Sequence, residues 1–258
     1  MSAGAACALW LGALFAGVWA VSVRVKDTST IDLAWGPAIA STTWVALWLG
    51  PGAGPRAWMT ALLATAWGAR LGVYLWMRAR GRGEDARYAE MRAAHGDAWP
   101  RRSLVTVFLL QAALAWVVSL PLQWAGASSG AAGWTAWDTA GVVAALAGTL
   151  VEAFADAQLY RFKRAPGHEG RVMDRGLWRY SRHPNYFGEC VAAWGFYLLA
   201  VGAGHPLAAL PGPALLTVLL LRVSGVTLLE RHLETRPGYS EYVARTSAFV
   251  PWPPRQGS

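Results

Sequence analysis

Seven ionisable side chains fall inside or at the ends of otherwise apolar stretches: Asp32, Arg70, Glu152, Asp156, Glu189, Arg222 and Glu230. A charge at the hydrocarbon centre of an inserted helix costs about 2.5–3.5 kcal/mol, so such residues usually face a protein-lined cavity and pair with one another. The spacing fits that reading. Glu152 and Asp156 are four residues apart and share one helix face, and Arg222 and Glu230, eight apart, nearly do. Snorkelling to interfacial water is the alternative use of such residues, and it stays open. The densest patch runs from Arg171 to Glu189. It brings Arg171, Arg175, Arg179 and Arg182 together with Tyr180, His183, Asn185, Tyr186 and Glu189 at the start of an apolar stretch. Pro184 suits the first turn of a helix, whose free N–H groups favour an anion. Guanidinium forks suit phosphate. Asn185 and Glu189 offer the donors and acceptors an amide or ribose hydroxyls require. The chemistry these types allow is the binding of a phosphate-bearing cofactor. A merely basic loop would explain the arginines and not Asn185, Tyr186 or Glu189.

The elements that must position these residues are helices in a membrane. Of 258 residues, 55% are hydrophobic and 15% charged, where soluble domains carry about 25% charged residues. This composition excludes a disordered chain, a basic nucleic-acid-binding domain and a disulfide-stapled secreted domain. Cys7 and Cys190 both sit in apolar segments and read as buried side chains. The scattered histidines lack metal-ligand spacing, so no metal is expected. Seven spans are expected at roughly 4–23, 31–50, 57–78, 103–126, 137–158, 186–204 and 206–230. The first precedes its positive charges, Arg24 and Lys26, so it reads as a span with its N-terminus outside rather than as a signal peptide. Lys and Arg concentrate in loops 24–30, 79–102 and 159–185 and in the tail (Arg231, Arg236, Arg245, Arg255), while the opposite side has only Arg56. That alternation puts the C-terminus in the cytoplasm. The fold class expected is therefore all-α: one polytopic membrane domain over 1–258. About 1–100 form its substrate side and about 137–258 its cofactor side. Trp10, Trp48, Trp58, Trp99, Trp124, Trp134 and Trp137 read as an interfacial belt.

Gly176-Leu177-Trp178-Arg179-Tyr180-Ser181-Arg182-His183-Pro184-Asn185-Tyr186-Phe187-Gly188-Glu189 closely resembles the C-terminal region of the steroid 5-alpha-reductase family, and most nearly its bacterial membrane branch. Three further stretches are similar: Glu152 to Gln158 with Phe162-Lys163, Leu229-Glu230-Arg231-His232, and Arg236-Pro237-Gly238-Tyr239 through Pro251-Trp252. The superfamily also holds the sterol C14 and C7 reductases and the isoprenylcysteine carboxyl methyltransferases. The resemblance implies NADPH in the reductases and S-adenosylmethionine in the methyltransferases, bound in a similar place. The Asn185-Tyr186-x-Gly188-Glu189 form looks like the reductases. NADPH, with its pyrophosphate and 2′-phosphate, also has more use for a guanidinium cluster than a cationic sulfonium has. No GxGxxG stretch follows a strand, so a non-Rossmann site is expected.

The resemblance implies hydride transfer from NADPH to a carbon–carbon double bond conjugated to a ketone in a lipophilic substrate, a 3-oxo-Δ4 steroid above all. The methyltransferase activity is the alternative. A transporter or lipid-binding scaffold is a third reading, with no inverted repeat to support it. The residues carried over for the cofactor are Arg70, Arg82, Glu152, Asp156, Lys163, Arg171, Arg179, Tyr180, Asn185, Glu189, Arg222 and Glu230. The eukaryotic reductases polarise the ketone with a glutamate on the second span and a tyrosine on the third. The matching candidates here are Asp32 and Tyr74, with Trp67 nearer the expected tyrosine position. A protonated Asp32 could donate to the ketone; capping the second helix is its other use. Trp35 and Trp67 are candidate substrate walls. The setting expected is a bacterial inner membrane, with the site opening to the cytoplasm. The partners expected are the lipophilic substrate and membrane lipid, and no nucleic acid.

Overall fold

A computed structural model describes residues 1–51, 54–129, 133–223 and 225–255, apart from the side chains of Leu228, Arg231 and His232. Residues 130–132 of the loop between the fourth and fifth expected spans, Ser224 in the last one, and the Arg231 side chain counted in the basic tail lie outside the described residues. The chain is 77% helix, with no strand among the described residues. The helices are α1 (Ala3–Val25), α2 (Thr30–Leu49), α3 (Pro55–Ala79), α4 (Ala86–His95), α5 (Trp99–Ser103), α6 (Leu110–Val118), α7 (Leu120–Gly126), α8 (Ala136–Arg164), α9 (Pro184–Gly202), α10 (Pro206–Ala209), α11 (Pro211–Val218), α12 (Val226–Leu233) and α13 (Tyr239–Arg245).

Local chemistry sets several boundaries. The Ser2 hydroxyl accepts from Ala5 N and starts α1, and Lys26 at φ 55 ends it. Pro55 opens α3 in the first turn, where its missing N–H costs nothing. Each expected span falls on helix, and four helical stretches are long and apolar enough to cross a membrane: Ala3–Val25, Ala86–Val118, Ala136–Arg164 and Pro206–Val223. The helices α2, α3 and α9 have the length but not that apolarity: Trp, Thr and charged residues dilute α2 and α3, and Pro184, Asn185, Glu189 and two tyrosines dilute α9.

Two expected spans are not single α-helices. The fourth contains a π-helical segment, Leu104–Leu109, and restarts at Leu120 with Pro121 in the first turn. The last, which Pro206 opens, is divided by a turn at Leu210 ahead of Pro211 and by a π-helical segment at Leu219–Val223 before α12 begins. Proline lacks the N–H an uninterrupted helix needs.

The chain divides into two compact units. The first comprises Met1–Thr139 with Phe196–Gly212, the second Ala140–Gly195 with Pro213–Ser258. In the first unit α2 packs against α1, α3 and α7, and Leu11, Phe15, Ile31, Ile39 and Phe108 are buried. A buried ion pair joins the start of α3 to the start of α8: Arg56 Nε donates to Asp138 Oδ1 at 2.6 Å and Nη2 to Oδ2 at 2.8 Å. In the second unit α8 and α9 touch backbone to backbone at glycine. A Cβ on Gly188 would lie 2.7 Å from Glu152 N and 2.7 Å from Gly148 O. Cys7 and Cys190 are buried free thiols, as their apolar surroundings imply.

Candidate functional site

In the second unit the close approach at Gly188 leaves no room for side chains between α8 and α9 there, and the acidic residues beside it are buried. Glu152 is 2% exposed, Asp156 4% and Glu189 9%. Asn185, in the first turn of α9, donates from Nδ2 to Asp156 Oδ1 at 3.2 Å. Its own Oδ1 is buried and accepts no hydrogen bond. An acceptor in that position leaves capacity for a ligand's N–H or O–H.

The loop ahead of α9 is pinned to α8. Gly176, at φ 60, takes a conformation that side chains resist, and a Cβ there would lie 2.6 Å from both amide heavy atoms of Gln158. Leu177 N donates to Gln158 Oε1 at 3.0 Å, and the indole N–H of Trp178 donates to Ala155 O at 3.1 Å. Tyr242 donates to Trp178 O at 2.5 Å. Trp178 and Tyr242, both part of the sequence pattern, are thus anchors of the loop. On the far side of the loop, Arg182 Nε donates to Glu230 Oε1 at 2.8 Å and its Nη1 to Thr246 O at 2.7 Å. His183 Nε2 lies 3.2 Å from the same Glu230 oxygen, and its ring stacks on Tyr186 with centroids 5.6 Å apart. Burial pushes the His183 pKa below the ordinary imidazole range, and the Glu230 carboxylate opposes that only in part.

The structure brings Glu152, Asp156, Asn185 and Glu189 to one crossing of α8 and α9. Arg171 lines a cleft of about 700 Å³ and Arg179 a neighbouring one of about 550 Å³. Tyr180 is exposed, and its carbonyl accepts from Trp252 N at 2.9 Å. Lys163, on the last turn of α8, is exposed. One expectation needs correcting. Arg222 does not share a helix face with Glu230, because the π-helical segment and the restart at Val226 break the periodicity between them. Arg222 is exposed, and Glu230 is taken by Arg182 and His183.

In the first unit Asp32 is not a helix cap. Ser29 holds the cap position of α2, and Asp32 lies inside the first turn. Tyr88, on α4, donates from its hydroxyl to Asp32 Oδ1 at 3.0 Å, and Arg87 Nη2 stands 3.6 Å from Oδ2. Tyr74, the expected partner, is half-buried on α3, as is Arg70. Arg82 is exposed in the loop between α3 and α4. Trp67 is buried edge-on to Phe196 with centroids 6.3 Å apart. Trp35 Nε1 is buried without an acceptor. Trp99 leaves the interfacial belt: it is 2% exposed, and its indole donates to Thr28 Oγ1 at 3.2 Å.

Sequence reasoning missed Arg87 and Tyr88 at Asp32 and the hydrogen bonds that tie the segment ahead of their helix to the start of α2. Glu84 accepts from Thr28 N at 2.6 Å and from Arg92 Nη2 at 2.8 Å, and Asp85 N donates to Ser29 Oγ at 2.7 Å. Hydrogen bonds from Arg92 hold the Glu84 carboxyl below the usual range, and those from Arg87 do the same for Asp85. The available signal was Asp85 as the cap of a short helix whose first turn carries Arg87 and Tyr88.

Against known proteins, residues 18–246 match a family described as "Protein of unknown function (DUF1295)". A relative in Schizosaccharomyces pombe, "Uncharacterized protein C594.04c", is 27% identical over 215 residues, which is 74% of this chain and 62% of that protein. The match thus spans less than two thirds of the relative's length. No solved structure matches.

Proposed function

We propose that this chain, which belongs to the DUF1295 family, is an NADPH-dependent membrane reductase of the steroid 5-alpha-reductase type. It would reduce the carbon–carbon double bond of a conjugated enone in a lipophilic substrate, with a 3-oxo-Δ4 steroid as the leading candidate. The observation that carries the reading is the Asn185 group. A buried Asn185 Oδ1 without a donor sits beside the buried carboxylates of Glu152, Asp156 and Glu189. Ionisable residues kept at such depth in apolar helices mark functional sites. The donor set fits the cofactor. Asn185 Oδ1 would accept from the nicotinamide amide or a ribose hydroxyl, the carboxylates would accept from further hydroxyls, and Arg171 and Arg179 would meet phosphate.

NADPH, when bound, supplies the hydride. The chain supplies polarisation and the exclusion of water. Negative charge builds on the ketone oxygen during transfer, and a preorganised donor lowers that barrier. The Tyr88 hydroxyl oxygen lies 3.0 Å from Asp32 Oδ1; with substrate bound, that hydroxyl would turn its one proton from the carboxylate to the ketone oxygen, and Asp32 would hold it in place, so Tyr88 positioned by Asp32 is the proposed donor. The loop charges support seven spans with the N-terminus outside and a site opening to the cytoplasm; the resemblance to the bacterial branch is what suggests a bacterial inner membrane.

The test uses the full chain in phosphatidylcholine nanodiscs. NADPH is expected to raise the melting temperature, and membranes given NADPH and a 3-oxo-Δ4 steroid should yield the dihydro product by mass. Asn185→Ala should abolish the NADPH effect while leaving the ligand-free melt close to wild type. Stabilisation by S-adenosylmethionine and not by NADPH would replace this reading with the methyltransferase.

A further inference from the structure

Within the second unit a cleft of about 550 Å³ is lined by Arg175, Arg179, Arg245 and Arg255 together with Asp174, Gly176, Thr246 and Pro254. Ligand pockets run to about 300–1,000 Å³. Its one acidic side chain, Asp174, is already bound to Arg245. Arg175, Arg179 and Arg255 have no carboxylate partner among the described residues. Three uncompensated guanidinium groups on one concave surface repel one another and focus a positive potential into it.

The arrangement is built from segments far apart in the chain. Arg175 and Arg179 flank the turn that Gln158 and Ala155 pin to α8. The C-terminal segment is laid alongside by its backbone: Arg182 N donates to Ser247 O at 2.8 Å, Trp252 N to Tyr180 O at 2.9 Å, and Arg255 N to Arg245 O at 2.9 Å. The Ser181 hydroxyl adds a bond to Phe249 O at 2.7 Å. These bonds bring Arg255 into the lining of the cleft that holds Arg175 and Arg179, despite the repulsion.

We propose that this cleft binds a phosphate monoester, and that Arg175, Arg179 and Arg255 thereby select NADPH over NADH through the 2′-phosphate. Planar guanidinium forks match the oxygens of a doubly charged phosphate group, and three of them leave no deficit of donors. Naming the 2′-phosphate rests on the reductase reading; the affinity for a phosphate monoester does not. The other source of the same chemistry is an anionic lipid headgroup.

The full chain in phosphatidylcholine nanodiscs is titrated with 2′,5′-ADP and with 5′-AMP, which lacks the second phosphate. The expected result is about tenfold or more tighter binding of 2′,5′-ADP, weakening with added salt. Arg175→Ala and Arg255→Ala should each collapse that preference and raise the Kd for NADPH without changing that for NADH. Retained NADH binding shows that a variant is folded, and Arg255→Lys should recover part of the preference. Equal affinity for the two nucleotides, or a preference unchanged in both alanine variants, overturns the proposal. So does a site that ignores 2′,5′-ADP and is filled by phosphatidic acid introduced into the nanodisc. If 2′,5′-ADP binds as expected but no enone is reduced, the cleft stands and the reductase reading falls. If the enone is reduced equally well with NADH and NADPH, the reductase reading stands and the cleft's role in choosing the cofactor falls.

Discussion

Replacing Tyr88 by Phe separates chemistry from stability. The ring of Tyr88 is buried, at 8% exposed, and Phe keeps that packing. What disappears is one hydrogen bond, from the Tyr88 hydroxyl to Asp32 Oδ1 at 3.0 Å. A hydrogen bond to a charged group contributes about 1.5–3 kcal/mol. Arg87 still stands 3.6 Å from the other carboxylate oxygen, so Asp32 is not left without a counter-charge, and the stability cost belongs at the lower end of that range. The loss of a preorganised donor to a developing oxyanion is larger, about 10²–10³ in kcat, or about 2.7–4 kcal/mol. The assay follows NADPH oxidation and product mass with a 3-oxo-Δ4 steroid, alongside thermal melts of wild type, Tyr88→Phe, Asp32→Asn and Tyr74→Phe. The first two variants are expected to lose kcat by similar factors with small shifts in melting temperature. Loss of activity in Tyr74→Phe, with Tyr88→Phe within about threefold of wild type (under about 1 kcal/mol), would refute the assignment of the pair.

Three further outcomes follow from the packing. Arg56→Met should destabilise the chain by about 3–5 kcal/mol, because it strands a fully buried Asp138; Arg56→Met with Asp138→Leu should recover much of that, as read by denaturant or thermal unfolding in detergent. Gly188→Ala should cost about 1–3 kcal/mol and weaken NADPH binding, because the methyl group would meet the Glu152 and Gly148 backbone; wild-type values for both would show that the crossing has slack. Acidification should destabilise the fold through His183, whose folded pKa lies below its unfolded value of 6.5. The neutral ring's stabilisation is complete above that value and declines as pH falls from it towards the folded pKa, since only the unfolded chain takes up the proton. Melts at successive pH values should show this slope, and His183→Gln should flatten it.

Much of the helical layout was legible because its cause is local. Apolar runs long enough to span a bilayer, interrupted by basic loops, can form little other than helices, since lipid offers no partner for unpaired backbone groups. The burial of Glu152, Asp156 and Glu189 also followed from their positions in apolar helices, and the four-residue spacing of the first two correctly placed them on one face. Periodicity failed where the helix itself changes pitch. The face expected to join Arg222 and Glu230 does not survive the π-helical segment at Leu219–Val223, and nothing in Leu-Leu-Leu-Arg-Val announces such a segment. Trp99 failed for a related reason. A tryptophan near a span end is ordinarily interfacial, and only the fold supplies Thr28 as the acceptor that permits its burial.

The sequence alone determined residue types and their distances along the chain: a membrane-suited helical protein, a basic loop ahead of α9, and acidic groups deep within apolar helices. The partners were decided by tertiary structure. Tyr88 reaches the Asp32 carboxylate, Glu230 is claimed by Arg182 and His183, and Arg255 is carried to the cleft that Arg175 and Arg179 line. Helical periodicity reaches only a few residues along the chain. Each of these pairings joins residues some 50 to 80 positions apart, so only the packing of whole elements could select one partner among several of the same chemistry.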